Sequence, residues 1–399
     1  MKISENIIYI GVNDNNIDIF EGQYKMKNGV SYNSYLIKDE KNTVIDTVDK
    51  RATEEWLKKI EKSLGEESLD YLIISHMEPD HSSSIKVLAE KYPNMKLVGN
   101  QKTFAFLPQF FEIDNIEERQ VIVKEGDILS LGKHSIKFAM LPMVHWPEVM
   151  VEYEETEKVL FSADAFGKFD VVSEDTQETI EEINTITKEE QWLDEARRYY
   201  INIVGKYGVQ VQAALNKLKD LDIKIICPLH GPVLNENLGF YIEKYNTWSK
   251  YEAENDGILL VSTSMHGNTF EAMQELEKNL KNNSEKEIKL VDLTREDMTE
   301  IVAQAFKYKT LILAAPTYNA ELFPTMENFI RLLKAKGYQN RKVALIENGT
   351  WAPMAAKLMT DILSQMKNIE LINPTVTIRT TLSKESREQL VTLANELIK

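Results

Sequence analysis

A chain of 399 residues exceeds what one ordinary hydrophobic core organises, and its length points to two domains, three at most. Apolar residues at 43% and charged residues at 28% are the composition of a folded globular protein and exclude extended disorder. The 63 acidic against 47 basic residues give a formal charge of −16, which repels nucleic-acid phosphates and anionic lipid. The opening "MKISENIIYIGVNDNNIDIF" has no continuous apolar signal segment, and no later window approaches the ~20 apolar residues of a membrane span. The expectation is a cytoplasmic protein with neither nucleic acid nor membrane as partner. A single cysteine, Cys227, excludes an intrachain disulfide, a four-cysteine zinc or rubredoxin-type iron site and a self-contained iron–sulfur cluster. Redox chemistry then needs other ligands or an organic cofactor.

In chain order, "SYLIK" and "NTVIDT" around the polar "DEKN" predict a hairpin. Further strands are predicted at "YLIIS", "KLVGN", "VIVKE", "SIKFAML", "VMVEY", "KVLFSAD" and "IKIICPL". Helices are predicted at "ATEEWLKKIEKSL", "IKVLAEKY" and, as one long element, "EARRYYINIVGKYGVQVQAALNKLKDL". The polar stretch "NTWSKYEAENDG" reads as a linker, giving domains 1–251 and 252–399. Beyond it, strand and helix alternate five times, with strands at "GILLVS", "EIKLVDL", "KTLILAAP", "RKVALIE" and "IELINP". Apolar strands alternating with helices predict a doubly wound parallel sheet covered on both faces.

The chain holds six histidines, and four of them follow apolar runs. His76 and His81 bracket Glu78 and Asp80 in "HMEPDH" behind "YLIIS"; His145 follows "FAMLPMV", His230 follows "IKIICPL", and Asp164 follows "VLFS". One His or Asp after a strand is ordinarily a turn or cap residue. Together these positions converge on one sheet edge, and seven nitrogen and oxygen ligands exceed the needs of one tetrahedral zinc. Asp164 could bridge two ions, and imidazole mixed with carboxylate, without thiolate, suits iron or manganese as well as zinc.

The pattern His76-x-Glu78-x-Asp80-His81, then His145, Asp164 and His230-Gly231-Pro232, resembles the metallo-β-lactamase-like domain of the flavodiiron proteins, or A-type flavoproteins. Hydrolases of the wider superfamily usually carry a second His where Glu78 stands. The resemblance implies an αββα sandwich in which His76, Glu78 and His145 hold one iron, Asp80 and His230 the other, and Asp164 bridges them. The position of His81 is a ligand in some members and displaced in others. Trp146 and Phe166 are read as site walls.

In the second half, "STSMHGNTFEAM" places small hydroxyl residues and Gly267 before a helix, where backbone N–H groups can surround a phosphate. It lacks both the dinucleotide and the Walker patterns, which suits a monophosphate. The loops "APTYNAELFP" and "ENGTWAPM" follow the third and fourth strands, at the crevice where such a sheet takes a planar ring. This half resembles flavodoxin, and the domain order completes the flavodiiron pattern, implying FMN. The candidate contacts are Ser262, Thr263, Ser264, Met265, His266, Gly267, Asn268 and Thr269, then Pro316, Thr317, Tyr318 and Asn319, then Asn348, Gly349, Thr350 and Trp351. Ala314-Ala315 and "ENGTW" depart from the family's common Gly-Ser and Gly-Ser-Tyr-Gly-Trp forms.

The resemblance implies reduction of dioxygen to water, or of nitric oxide to nitrous oxide, at a di-iron centre fed by FMN. It further implies a rubredoxin-like donor or reduced deazaflavin, with no fused donor module, and a head-to-tail homodimer or dimer of dimers. Two other classes compete: a zinc hydrolase carrying a flavodoxin-like binding module, and an electron carrier whose metals are closed to ligands.

Overall fold

The computed structural model describes residues 2–172 and 189–399. These form two compact units, Met1–Tyr200 with Val209–Asn246, and Ile201–Gly208 with Thr247–Lys399. The expected break at 251/252 falls inside the second unit. The helix Leu238–Ser249 runs through the start of the expected linker because Trp248 is an apolar anchor, 2% exposed, with Nε1 donating to Glu254 Oε1 at 2.8 Å.

In the first unit one sheet runs in the order Ile7–Tyr9, Tyr35–Ile37, Thr43–Ile45, Tyr71–Ile73, Lys96–Gly99 and Gln120–Ile122. The predicted hairpin is present in the register Tyr35↔Ile45, and the last four strands are mutually parallel. The other sheet runs Ile128–Ser130, Ser135–Met140, Met150–Glu154, Val159–Phe161 and Ile225–Cys227. Ile7, Ile37, Ile45 and Ile73 of the first sheet share one core with Phe138, Met150, Phe161 and Cys227 of the second, so the sheets pack face to face. The Thr53–Leu64 helix buries Trp56, Ile60 and Leu64, one stripe at a spacing of four. The short strands Val12–Asp14, Ile19–Phe20, Tyr24–Lys25 and Val30–Tyr32 carry too few residues for a period to show, and pattern reading missed them.

The predicted long helix at 195–221 is broken into Glu189–Tyr199, a wide turn at Tyr200–Val204, a tight turn at Gly205–Tyr207, and Gly208–Leu218. The last segment starts at Gly208, where a close backbone approach leaves no room for a side chain: a Cβ there would lie 2.3 Å from the Ser249 carbonyl oxygen.

In the second unit the sheet order is Ile288–Asp292, Asn255–Ser262, Tyr308–Tyr318, Arg341–Asn348 and Ile369–Ile378, all parallel. This is the flavodoxin-like order, and all five predicted strands are present. On one face Ile258, Leu260, Ile312 and Ile346 pack against Met273, Leu276 and Leu280 of the Asn268–Asn283 helix and Leu390 and Leu393 of Lys384–Leu397. The alternate residues Leu259, Leu311, Leu313 and Val343 are equally buried on the other face, which is why the strands read as unbroken apolar runs.

Arg341, 2% exposed, sits at the start of its strand and donates to the carbonyls of Phe306, Tyr308, Tyr251, Gln339 and Asn340. One cation thus ties the chain entering the second unit to two strand ends. Replacing it with methionine is expected to cost about 3 kcal/mol, because several carbonyls lose their donor in a buried place. Urea unfolding followed by far-UV circular dichroism would show the second unit melting at lower denaturant.

Candidate metal centre and flavin cavity

Each predicted ligand stands just past a strand's C-terminal end. His76 follows Tyr71–Ile73, Asp164 follows Val159–Phe161, His230 follows Ile225–Cys227, and His145 stands midway in the loop between Ser135–Met140 and Met150–Glu154. The strands bearing His145, Asp164 and His230 run in one direction within their sheet. Met150 N donates to the Ser75 carbonyl at 3.2 Å, joining the two sheets at this edge.

The "HMEPDH" loop is pinned from beneath. Pro79 starts a single helical turn, Pro79–Ser82, which turns Asp80 and His81 inward. Thr47 N and Oγ1 donate to the His81 carbonyl at 3.0 and 2.6 Å. The three serines that follow read as caps of the next helix, but none caps it through its side chain. Ser82 Oγ donates to the Met77 carbonyl, Ser83 Oγ to Pro79 and Ser84 Oγ to Val48, satisfying carbonyls that the tight loop leaves free. His230 is clamped likewise: Asn33 Nδ2 donates to the Pro228 and Gly231 carbonyls, both at 2.8 Å. Gly231 has φ 76°, and a Cβ there would meet Lys168 Cγ at 2.7 Å, so the glycine after His230 is required on both counts.

All seven side chains come together in two groups, His76, Glu78, His145 and Asp164 in one and Asp80, His81 and His230 in the other, with ligand atoms in each lying within 4.8 Å of one another. Asp164 divides its oxygens between them. Its Oδ2 lies 3.0 Å from His145 Nε2 and 3.5 Å from His76 Nε2, while its Oδ1 lies 3.3 Å from His81 Nε2 and 3.9 Å from His230 Nε2. Glu78 Oε2 lies 3.0 Å from His145 Nε2 and 3.3 Å from His76 Nε2, and Asp80 Oδ2 is 3.2 Å from His230 Nε2. His81 and His230 point Nε2 at each other across 3.1 Å.

Several of these atoms are buried without an aligned hydrogen bond: both Asp80 oxygens, Asp164 Oδ1 and His81 Nδ1. Three carboxylates and four imidazoles crowded together, most of them buried and with four of their polar atoms left unsatisfied, are what a pair of cations resolves. The donor set, nitrogen and oxygen without sulfur, fits iron. Without cations the His76, His81 and His145 rings are held toward their protonated forms instead. Burial pulls the His81 ring down, but the charges of Asp80 and Asp164 push it up to about 9. Burial opposes His145 in the same way, and its contacts with Asp164 and Glu78 raise it to about 9.

Sequence reasoning missed the residues behind the ligands. His76 Nδ1 meets Glu148 Oε1 at 2.8 Å, and His230 Nδ1 meets the Ser31 carbonyl at 2.7 Å. Asp46 Oδ1 accepts from Ser75 N at 2.8 Å, and Glu152 Oε2 accepts from Ser75 Oγ at 2.9 Å. Glu148 stood in view as the last letter of "HWPE"; the others carried no local signal. Trp146 is a wall, its ring 5.3 Å from that of His76, whereas Phe166 packs at 4.4 Å against Tyr245, away from the ligand rings. The unpredicted walls are Phe20 and Tyr199, 5.6 and 5.5 Å from the His230 ring. Glu21 tops the Ile19–Lys25 hairpin, and although exposed by area its carboxyl is pushed up to about 7 by crowding first and then by Glu78 and Asp80. His134 stands apart, its ring nitrogens facing Asp39 and Glu157.

In the second unit a cavity of about 410 Å³ opens at the C-terminal ends of the strands. Its walls include thirteen of the sixteen predicted contacts: Ser264, Met265, His266, Asn268, Thr269, Pro316, Thr317, Tyr318, Asn319, Asn348, Gly349, Thr350 and Trp351. Ser262, Thr263 and Gly267 are not among the lining residues. The Ser262 and Thr263 side chains still belong to the buried strand end, with Thr263 Oγ1 directed at the Ala314 carbonyl. Gly267 instead forms the turn, with φ 92° and its N–H donating to Ser264 Oγ at 3.0 Å. Thr380 was missed; its N–H donates to Asn348 Oδ1 and its carbonyl accepts from Asn348 Nδ2, both at 3.0 Å. Trp351 is 81% exposed and Tyr318 43%, an open aromatic rim suited to a planar ring.

The profile described as ODP family beta lactamase matches residues 30–231. A nitric oxide reductase of Moorella thermoacetica is 28% identical over 382 residues, 94% of this chain and 93% of the relative. The solved rubredoxin oxygen:oxidoreductase of Desulfovibrio gigas superposes with a TM-score of 0.91 at 26% identity, covering 100% of this chain and 97% of that one. The flavodiiron protein of Giardia intestinalis gives 0.88 at 25% identity, covering 100% and 96%.

The raised imidazoles set a pH dependence. His81 and His145 move from the ordinary 6.5 to about 9, so their protonation contributes stability fully below pH 6.5 and loses it as pH rises through 9. Metal competes for the same nitrogens and prefers them unprotonated. Thermal melts of chelator-stripped protein are expected to drop between about pH 7 and pH 10, and melts of the metal-loaded protein to lose that drop.

Proposed function

Because the chain belongs to the flavodiiron family of oxidoreductases, built on an ODP-family β-lactamase domain over residues 30–231, we propose that it reduces dioxygen to water or nitric oxide to nitrous oxide at a di-iron centre fed by FMN. The observation that carries this reading is the division of Asp164, with one oxygen turned to each ligand group. His76, Glu78 and His145 would hold one iron, Asp80, His81 and His230 the other, and Asp164 both. The metal chemistry is assigned to residues 1–251 and the flavin to 252–399. Bound iron and flavin supply the electrons, together enough to take dioxygen fully to water.

The chain's own part is to position, shield and manage protons. Phe20, Trp146 and Tyr199 wall the ligand rings against water. Burial, then the charges of Asp164, Asp80 and Glu78, hold the Tyr199 phenol far above its ordinary range, so its Oη keeps a proton. Glu21, at about 7, can hold or release one beside Glu78 and Asp80. In the cavity the loop from Ser264 to Thr269 would take the phosphate at the start of a 16-residue helix, with Tyr318 and Trp351 against the ring.

Electrons are proposed to arrive from a rubredoxin-like protein or reduced deazaflavin; the name of the D. gigas structure supports the former. No helix among the described residues is long and apolar enough to cross a membrane, which agrees with a cytoplasmic placement. The exposed rim at Trp351 and Tyr318 supports a head-to-tail homodimer that covers it. Full activity from a monomer at high dilution would sink that assembly.

Anaerobically purified protein is expected to carry two iron ions and one FMN per chain. Once fully reduced, it should be reoxidised rapidly in a stopped-flow cell by dioxygen, nitric oxide or both, the two rates showing which gas is preferred. Zinc without flavin, or a reduced protein inert to both gases, would overturn the reading.

A further inference from the structure

The surroundings of the two ligand groups are unequal. In one, His76 Nδ1 faces Glu148 Oε1 at 2.8 Å, and the same oxygen accepts from Met77 N at 2.9 Å. Glu148 is 1% exposed and its Oε2 has no partner, so His76 is the one side chain its carboxylate hydrogen-bonds among the described residues. Asn100 Nδ2 donates to the Glu148 carbonyl at 2.5 Å and fixes the backbone there. In the other group, His230 Nδ1 meets only a neutral carbonyl, that of Ser31, and His81 Nδ1 is buried without a partner.

The carboxylates that face each group from within it match. Each has one carboxylate of its own, Glu78 or Asp80, and each takes one oxygen of Asp164. A carboxylate on the far nitrogen fixes the tautomer that turns Nε2 toward the metal and makes the imidazole a stronger donor; a carbonyl does so weakly. Burial keeps water and salt from screening the difference.

We propose that Glu148 is a positioning residue that acts through His76 to make the two iron positions electronically unequal. When the di-ferrous centre loses its first electron, the ferric ion is the one held by His76, Glu78 and His145. The change is one electron, passed to an added oxidant, and Glu148 keeps its charge and its hydrogen bond throughout. This rests on the di-iron reading above. A parent protein without two iron ions per chain sinks that reading before any variant is compared.

The test is a stepwise anaerobic oxidation of full-length, iron-loaded protein with mediators, following the mixed-valence signal by electron paramagnetic resonance and counting iron at each stage. Glu148→Gln keeps an acceptor for His76 Nδ1 and removes the charge. It should retain two iron ions while its first oxidation becomes harder and the two steps draw together. The comproportionation constant is then expected to fall about tenfold, by analogy with the low end of the effect that outer partners have on metal affinity. Glu148→Asp, which keeps the charge, should stay within about threefold of the parent. An unchanged constant in Glu148→Gln overturns the proposal, as does a wider separation, which would place the ferric ion in the other group. A Glu148→Asp variant as altered as Glu148→Gln would also overturn it, because shape and not charge would then be responsible.

Discussion

Asp164 is 1% exposed and bonded to nothing on its Oδ1, yet all four ligand histidines bring Nε2 within 3.9 Å of it. A buried carboxylate in that position is tolerable only if positive charge stands on both of its sides. In the metal-free chain the His81, His145 and His76 rings supply that charge, and they hold the Asp164 carboxyl well below its ordinary range even though burial works the other way. With metal, the same oxygens and nitrogens would hold the ions in place of protons. The architecture of the first unit follows from this need, because only strand ends that meet at one edge can bring four histidines and three acids so close without burying free backbone.

The cost of the arrangement is visible around it. Asp46, Ala163 and Phe166 sit at positive φ, 52°, 48° and 67°, where residues with a side chain are strained. The surrounding bonds offset that strain: Thr47 and the serines 82–84 beneath one loop, Asn33 and Ser31 beneath another. Such support lies in parts of the chain that carry no chemistry of their own, so a substitution at Asn33 would free the loop that presents His230.

The parts that sequence exposed were those fixed by local chemistry. Apolar runs ending in His, Glu or Asp pointed to all seven side chains that the fold gathers into the two groups, because a strand end is a place where a run stops and a functional group can begin. The parallel sheet of the second unit was legible for the same reason, its strands being buried on both faces. What stayed hidden depends on distant pairing. Glu148 is 72 residues from the histidine it serves, and the Ser31 carbonyl is 199 from its partner. Thr380 reaches the cavity only because the fifth strand ends beside the fourth. Ser262 and Thr263 lie in the strand end and not in the cavity wall, a difference hidden in sequence because a hydroxyl before a helix looks alike in either place.

The central claim is that two iron ions share Asp164. Diffraction from crystals of anaerobically loaded protein, collected on either side of the iron absorption edge, tests it directly. The account predicts two anomalous peaks, one among His76, Glu78 and His145, the other among Asp80, His81 and His230, each in contact with a different oxygen of Asp164. A single peak, or a pair that appears at the zinc edge and not at the iron edge, would contradict it.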